Sequence, residues 1–326
     1  MSSTSPVARG RPTALDVAQR AGVSRTTVSF VLNGRAAERG ITAATAERVT
    51  AAAADLGYVP DRAARSLRSG LSDLVVFAAP GPQPLSTLAL HVITELTDLL
   101  VREGLHLVIR RVAAGRPLHE VWRQLSPAAV VGFELGAPDL EDLRSAGVPA
   151  VSFAMAAFDA ALGTAQARHL LSAGHTVLGY VAPQEHQFRV YGDRRLGAVR
   201  RTCAEAGVAE PVVVSCALDV ASATGVVRAL VEHGGVTAVC AYNDEHAFAV
   251  LAAMAELGLR APADLAVIGA DNDPLSALAV PALTTVDPGT VATAEHLLQQ
   301  VLAALGTPTA HPLAVRAPQV RVRRTA

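Results

Sequence analysis

The chain has 326 residues, 51% hydrophobic and 17% charged, with a formal net charge of −1. That length and apolar content suit two or three domains around a sizeable buried core and exclude an intrinsically disordered chain. Three cysteines, Cys203, Cys216 and Cys240, lack a CxxC spacing and a nearby histidine pair, which argues against a disulfide framework or a metal site.

Charge is unevenly spread. Residues 1–70 hold ten arginines against five carboxylates, net +5, and residues 71–326 hold 18 against 24, net −6. A basic head on an acidic body points to a local polyanion contact. The first dozen residues are polar and are expected to form a disordered tail (1–12) rather than a signal peptide. No window offers the ~18 uncharged apolar residues of a membrane span, so a cytoplasmic location away from membranes is expected.

Along the chain, Thr13 with Asp16 three residues later nearly matches a capping box, so a helix starts at Ala14. Gly22 ends it, and Ser24 caps a second short helix within the stretch Ser24–Arg35, giving a helix-turn-helix. Leu15, Ala18, Val23, Val28, Val31 and Leu32 are its expected apolar seam. A third helix runs from Thr42 to Leu56 and closes at Gly57. After Pro60, the stretch Asp61–Arg68 has helical potential but is too short to be stable alone, since helices below about 12 residues are marginal. From Leu74 onward, strand-length apolar runs (Leu74–Ala78, Leu105–Arg110, Ala129–Phe133, Ala150–Phe153, Val177–Ala182, Val212–Val214, Ala238–Ala241, Leu265–Gly269) alternate with helical stretches. The expected helices include Leu85–Arg102, Leu162–Ser172, Arg194–Ala206, Ala221–Glu232, Glu245–Leu257 and Val291–Leu305, and a closing strand is expected near Val320–Arg323. This rhythm predicts doubly wound parallel sheets covered by helices, in two lobes with a ligand crevice at the strands' carboxyl ends.

The outward tips at the start of the second helix fit a DNA groove. Arg25 can reach guanine acceptors, Thr26 a base or phosphate, and Phe30 a thymine methyl. Ser24, Ser29, Asn33 and Thr42 suit phosphate oxygens. No nucleophile elbow, Walker loop or HExxH motif is present, so no catalytic residue, cofactor or metal is expected.

Leu15-Asp16-Val17-Ala18, Ala21-Gly22-Val23-Ser24, Val31-Leu32-Asn33-Gly34, Leu56-Gly57-Tyr58-Val59-Pro60 and Ala64-Arg65-Ser66-Leu67 together resemble the LacI–GalR family of bacterial transcription regulators. Later stretches, Gly174–Pro183, Arg194–Arg200, Thr237–Asp273 and Pro281–Asp287, fall in the same family's order. The resemblance implies an all-α helix-turn-helix headpiece (13–59) with a hinge helix (60–70). It further implies an α/β two-lobe, periplasmic-binding-protein-like domain (71–326) for effector binding and dimerisation.

By the same resemblance the hinge folds on operator DNA beside its twin, Leu67 wedges into the minor groove, Ala64 permits close approach, and Arg68 lies near the narrow groove. Arg194 is the arginine that grips the effector, Asp271 accepts its hydroxyls or amines, and Asn243 stands at the crevice edge, with Asp244 the cap of the next helix. Val220 occupies a position where some sugar-binding members carry a stacking tryptophan. The implied partners are double-stranded operator DNA, a small polar effector (a sugar, nucleoside or purine-like molecule) and a second copy of the chain. The implied function is a ligand-responsive repressor. The alternative is a two-lobe sugar-binding receptor with no transcriptional role.

Overall fold

The computed structural model describes residues 12–32, 34–58, 72–81, 85–113, 125–232, 234–307 and 316–326. They belong to two compact units, Met1–Leu71 and Ser72–Ala326. The expected tail, the expected hinge helix and Asn33 lie outside the described residues, Pro12 excepted.

In the first unit, α1 (Ala14–Ala21) opens on a full capping box. The Thr13 hydroxyl accepts from the Asp16 amide, while the Asp16 carboxylate accepts from the Thr13 amide at 2.7 Å. Gly22, at φ 65°, turns the chain, and the Ser24 hydroxyl accepts from the Thr27 amide at 3.0 Å to start α2 (Arg25–Leu32). Thr42 caps α3 (Ala43–Leu56) in the same way through the Thr45 amide. Val17, Val28 and Val49 form the centre of the core, with Ala18, Ala21, Ala52 and Ala53 around them. Leu15, expected in the seam, is instead 55% exposed. At 100° per residue it sits about 110° around α1 from the centre of Val17, Ala18 and Ala21.

The second unit contains two sheets. The first has the order β2-β1-β3-β4, all parallel, from β1 (Leu74–Gly81), β2 (His106–Ala113), β3 (Ala129–Phe133) and β4 (Ala150–Phe153). The second has the order β10-β9-β8-β7-β5-β6, built from β5 (Leu178–Pro183), β6 (Val212–Cys216), β7 (Ala238–Ala241), β8 (Ala266–Ala270), β9 (Thr284–Asp287) and β10 (Gln319–Arg321). Within it only β10 runs antiparallel, against β9. Strand order reverses beside β1 in one sheet and beside β5 in the other, and such switch points open a crevice at the carboxyl ends.

The covering helices are α4 (Thr87–Arg102), α5 (Ala137–Ser145), α6 (Met155–Ser172), α7 (Arg189–Glu205), α8 (Val220–Glu232), α9 (Asp244–Glu256) and α10 (Thr290–Ala304). Two of them tie the lobes together. α6 leaves β4 of the first sheet and packs on α7, while α10 leaves β9 of the second and packs on α4. A relay of edge-on rings, Phe77, Phe133, Phe153 and Phe158, fills the interior at centroid spacings of 5.1, 6.2 and 6.0 Å.

Four elements differ from expectation. β9 (Thr284–Asp287) has no counterpart among the expected strands, because its four residues include two threonines and an aspartate and give no apolar run. α6 begins at Met155 rather than Leu162, because the short link after β4 enters the helix at once. α7 begins at Arg189, one turn before Arg194. α5 went unread because it buries only Leu143 and carries four charged residues, Asp139, Glu141, Asp142 and Arg144, too thin a stripe to register as periodicity.

Candidate functional site

On the helical unit, Arg25 and Thr26 are exposed at the start of α2, and Ser29 and Phe30 are half-buried. The Ser24 and Thr42 hydroxyls are engaged as caps, each also bonded to the threonine hydroxyl three residues on. Phe30 is covered by arginine. The Arg39 guanidinium carbon lies 4.8 Å from its ring centroid and that of Arg35 5.9 Å, with Arg35 held by Glu38 at 2.8 Å. Arg39 is set there by a short 3₁₀ turn, Ala37–Arg39, inside the loop after α2. Asn33, Ala64, Leu67 and Arg68 lie outside the described residues.

In the α/β unit the charged centre is Arg195, 3% exposed and neighbour to the arginine singled out from sequence. Its Nε donates to Asp159 Oδ1 at 3.2 Å, and its Nη1 donates to the Tyr242 carbonyl at 2.7 Å and to Asp271 Oδ1 at 3.3 Å. Its plane lies over the Tyr242 ring, 4.7 Å from the centroid. Burial works against this charge, and Asp271, Tyr242 and Asp159 together override it, so the guanidinium stays protonated above the ordinary arginine range. Burial pushes the Asp271 carboxyl up to about 7 even though Arg195 opposes the shift, and it raises Asp159 as well.

Arg194 points elsewhere. Its Nη1 pairs with Glu134 Oε1 at 2.7 Å and stands 3.8 Å from Asp159 Oδ2. Glu134 follows β3 of the first sheet and Arg194 rides on α7 beside the second, so this pair bridges the lobes. A second bridge is the Thr87 hydroxyl donating to Glu245 Oε1 at 2.7 Å.

Asp271 follows β8 in a left-handed conformation, φ 104°, as does Asn272, φ 51°. Such a turn needs support. Asp244 supplies it, accepting from the Asp273 amide and the Ser276 hydroxyl at 2.7 Å each and from the Thr285 hydroxyl. Asp244 was expected to cap α9, yet Asn243 is the cap. Its Oδ1 accepts from the His246 amide at 3.0 Å and lies 2.6 Å from His246 Nδ1. A capping residue must stand outside the helix with extended backbone, and Asn243 does; Asp244 is already in the first turn.

Between the sheets lies a cavity of about 480 Å³. Leu85, Leu88, Ala89, Phe133 and Met155 form its apolar side. Phe188, Tyr191 and Tyr242 face them, with Asp159 and Arg195 among the polar lining. Of the residues singled out for the effector, Arg194 and Asp271 connect to this lining through Asp159 and Arg195, whereas Asn243 is taken up by its helix. Sequence reasoning missed Asp159, Arg195, Glu134 and the three aromatic residues. Asp159 carried one readable signal: it shares a helical stripe with Leu162 and Gln166, a carboxylate on the buried face of an apolar helix.

Among the described residues no cluster of three or more histidine, cysteine, aspartate or glutamate side chains could hold a metal, and no helix is long and apolar enough to cross a membrane.

Residues 13–61 match the model for bacterial regulatory proteins of the lacI family, and residues 167–326 match that for a periplasmic binding protein-like domain. Among curated relatives, the HTH-type transcriptional regulator MalR of Streptomyces coelicolor is 30% identical over 335 residues, covering 94% of both chains. The HTH-type transcriptional regulator CelR of Thermobifida fusca is 30% identical, covering 86% of this chain and 87% of its own. Among solved structures, the lac repressor dimer bound to operator and the anti-inducer ONPF shares the fold, with a TM-score of 0.77 at 22% identity over 97% of this chain and 99% of its own. With the lacI-family model matched at residues 13–61 and a relative 30% identical over 94% of both chains, the chain belongs to the lacI family of bacterial regulatory proteins and is a DNA-binding transcription regulator.

Proposed function

We propose that the protein is a cytoplasmic, ligand-responsive repressor that binds a near-palindromic operator as a homodimer. The observation that carries this reading is the cavity between the two sheets, walled by both lobes and bridged at Arg194–Glu134 and Thr87–Glu245. A small molecule there changes the balance between open and closed lobes, and DNA affinity follows by linkage. Relatives named as PurR repressors, such as that of Vibrio atlanticus at 28% identity, and a neighbour titled as a CelR–cellobiose complex support a repressor with a small polar effector.

On this reading residues 13–59 are the headpiece, with Arg25, Thr26 and Phe30 at base edges and Ser24, Ser29, Asn33 and Thr42 at phosphates. Residues 60–70 are a hinge that orders on DNA, with Leu67 in the minor groove beside Ala64 and Arg68. Arg194 and Asp271 govern effector affinity by holding Asp159 and Arg195. Footprinting of the protein on DNA selected from its own genome tests the reading: a protected inverted repeat is expected, and protection without two-fold symmetry overturns the dimer.

A further inference from the structure

The cavity offers a ligand two unlike halves, and the inference drawn from them rests on reading it as the effector site. On the side of the first sheet the lining is apolar, Leu85, Leu88, Ala89, Phe133 and Met155, with the Ser86 hydroxyl already accepting from the Ala89 amide at 3.2 Å. Hydroxyl groups of a sugar would find few partners there. On the opposite side the Phe188 and Tyr242 rings lie 6.2 Å apart and 29° from parallel, with Tyr191 beside them.

Charge distinguishes the polar part. Asp159 is fully buried, and its Oδ2 has no hydrogen-bond partner. A buried carboxylate oxygen without a hydrogen-bond donor has lost its hydration, and the Arg194 charge 3.8 Å away returns only part of it. Arg194 does not fill the vacancy, for it sits 3.8 Å from that oxygen and is drawn to Glu134 at 2.7 Å. Arg195 is shared between Asp159 and Asp271. The lining carries Asp159 and Asp193 against Arg189 and Arg195, and adding the paired Glu134, Asp271 and Arg194 makes four carboxylates against three guanidiniums; the acceptor without a hydrogen bond belongs to Asp159.

We propose that the effector is an amphipathic organic cation, an arylalkyl or alkyl amine. Its ammonium donates to Asp159 Oδ2, and its apolar body lies against Leu88, Phe133 and Met155. An anion in the same place meets an uncompensated carboxylate.

The test uses the full-length protein and three probes that share one ring system and differ in head charge: tryptamine, tryptophol and indole-3-propionate, with cellobiose as a carbohydrate arm. Calorimetric titration is expected to show tryptamine binding at least about tenfold tighter than tryptophol, with indole-3-propionate and cellobiose weaker still. Asp159→Asn, which keeps an acceptor for Arg195 Nε, is expected to bring the tryptamine-to-tryptophol affinity ratio down to about one, with circular dichroism checking the fold. The wild-type series decides by itself if that variant fails to fold. Equal or tighter binding of indole-3-propionate or cellobiose, or no tryptamine binding at millimolar concentration, overturns the proposal. Gel shifts run beside it separate the two claims: operator binding that responds to cellobiose sinks the amine and keeps the repressor, whereas loss of all specific DNA binding sinks the repressor and leaves the cavity chemistry to the titration.

Discussion

Arg194 and Glu134 face each other across the crevice at 2.7 Å, an arginine on α7 meeting a glutamate that follows β3. Both side chains are about 30% exposed, so solvent screens the pair and its own contribution is about 1 kcal/mol or less. Its consequence is conformational, because it ties two lobes that otherwise share the crossover helices. Glu134→Gln should loosen closure and raise the radius of gyration of the isolated 72–326 unit in small-angle scattering, with a melting temperature lower by a few degrees at most. An unchanged scattering profile would mean that the crossover helices set the lobe angle.

Arg194→Ala should abolish the response to effector while operator binding persists. A gel-shift titration with and without effector measures it, and a normal response would show that Arg194 supports closure only.

Gly163 marks where α6 and α7 cross. A Cβ there would stand 2.3 Å from the Arg195 carbonyl oxygen, a backbone atom with no rotamer to escape into. Gly163→Ala should cost about 1–3 kcal/mol in denaturant unfolding by forcing the helices apart. It should also weaken ligand binding, since Arg195 moves with its backbone. Wild-type stability would show that the crossing relaxes freely.

Asp244 gives the protein a pH dependence of known sign. Burial pushes its carboxyl up to about 6 from the ordinary 3.8, although hydrogen bonds from Thr285, Ser276 and Asp273 oppose the shift. A raised carboxyl favours the protonated form in the fold, so the stability it contributes is complete below about pH 4 and is lost as pH rises through 6. The span is on the order of 3 kcal/mol, at 1.36 kcal/mol for each pKa unit. Asp271, raised to about 7, adds a slope of the same sign, so unfolding at pH 4 to 7 should show both and Asp244→Asn should reduce the slope without removing it; an identical slope in the variant would assign it to Asp271 or another group.

Phe30 is a platform for arginine as much as a surface for a base. Phe30→Leu keeps bulk and removes the ring under Arg39, so specific DNA affinity should fall by a few-fold, within the ~0.5–1 kcal/mol of an exposed cation–π pair. Phe30→Arg should change which base is preferred. Selection from a randomised operator pool reads both, and an unaltered site preference in both variants would remove Phe30 from base recognition.

Local chemistry made the helical unit legible. A hydroxyl three residues before a carboxylate, glycine at the left-handed exits and valine at the buried positions each act within one or two turns, so Thr13, Gly22 and Thr42 could be assigned from their neighbours alone. Most parallel strands were equally plain, because a strand buried on both faces is apolar along its length, as in Val75–Ala79 and Ala238–Ala241, whereas β9 buries Thr284 and Thr285 and shows no such run. The sequence points to Arg194 as the arginine that grips the effector, and only tertiary packing shows that its neighbour Arg195 is the more deeply buried of the two. Two arginines in succession on a helix point about 100° apart, and the helix that crosses at Gly163, not their own sequence, decides which is buried against Asp159 and Asp271. The same holds for Asn243 and Asp244, whose roles depend on the turn after β8 and on Thr285, more than forty residues away. Motifs written within a turn are read from the chain, whereas a crevice assembled from α4, α6, α7 and the ends of β3 and β7 exists only once those elements meet.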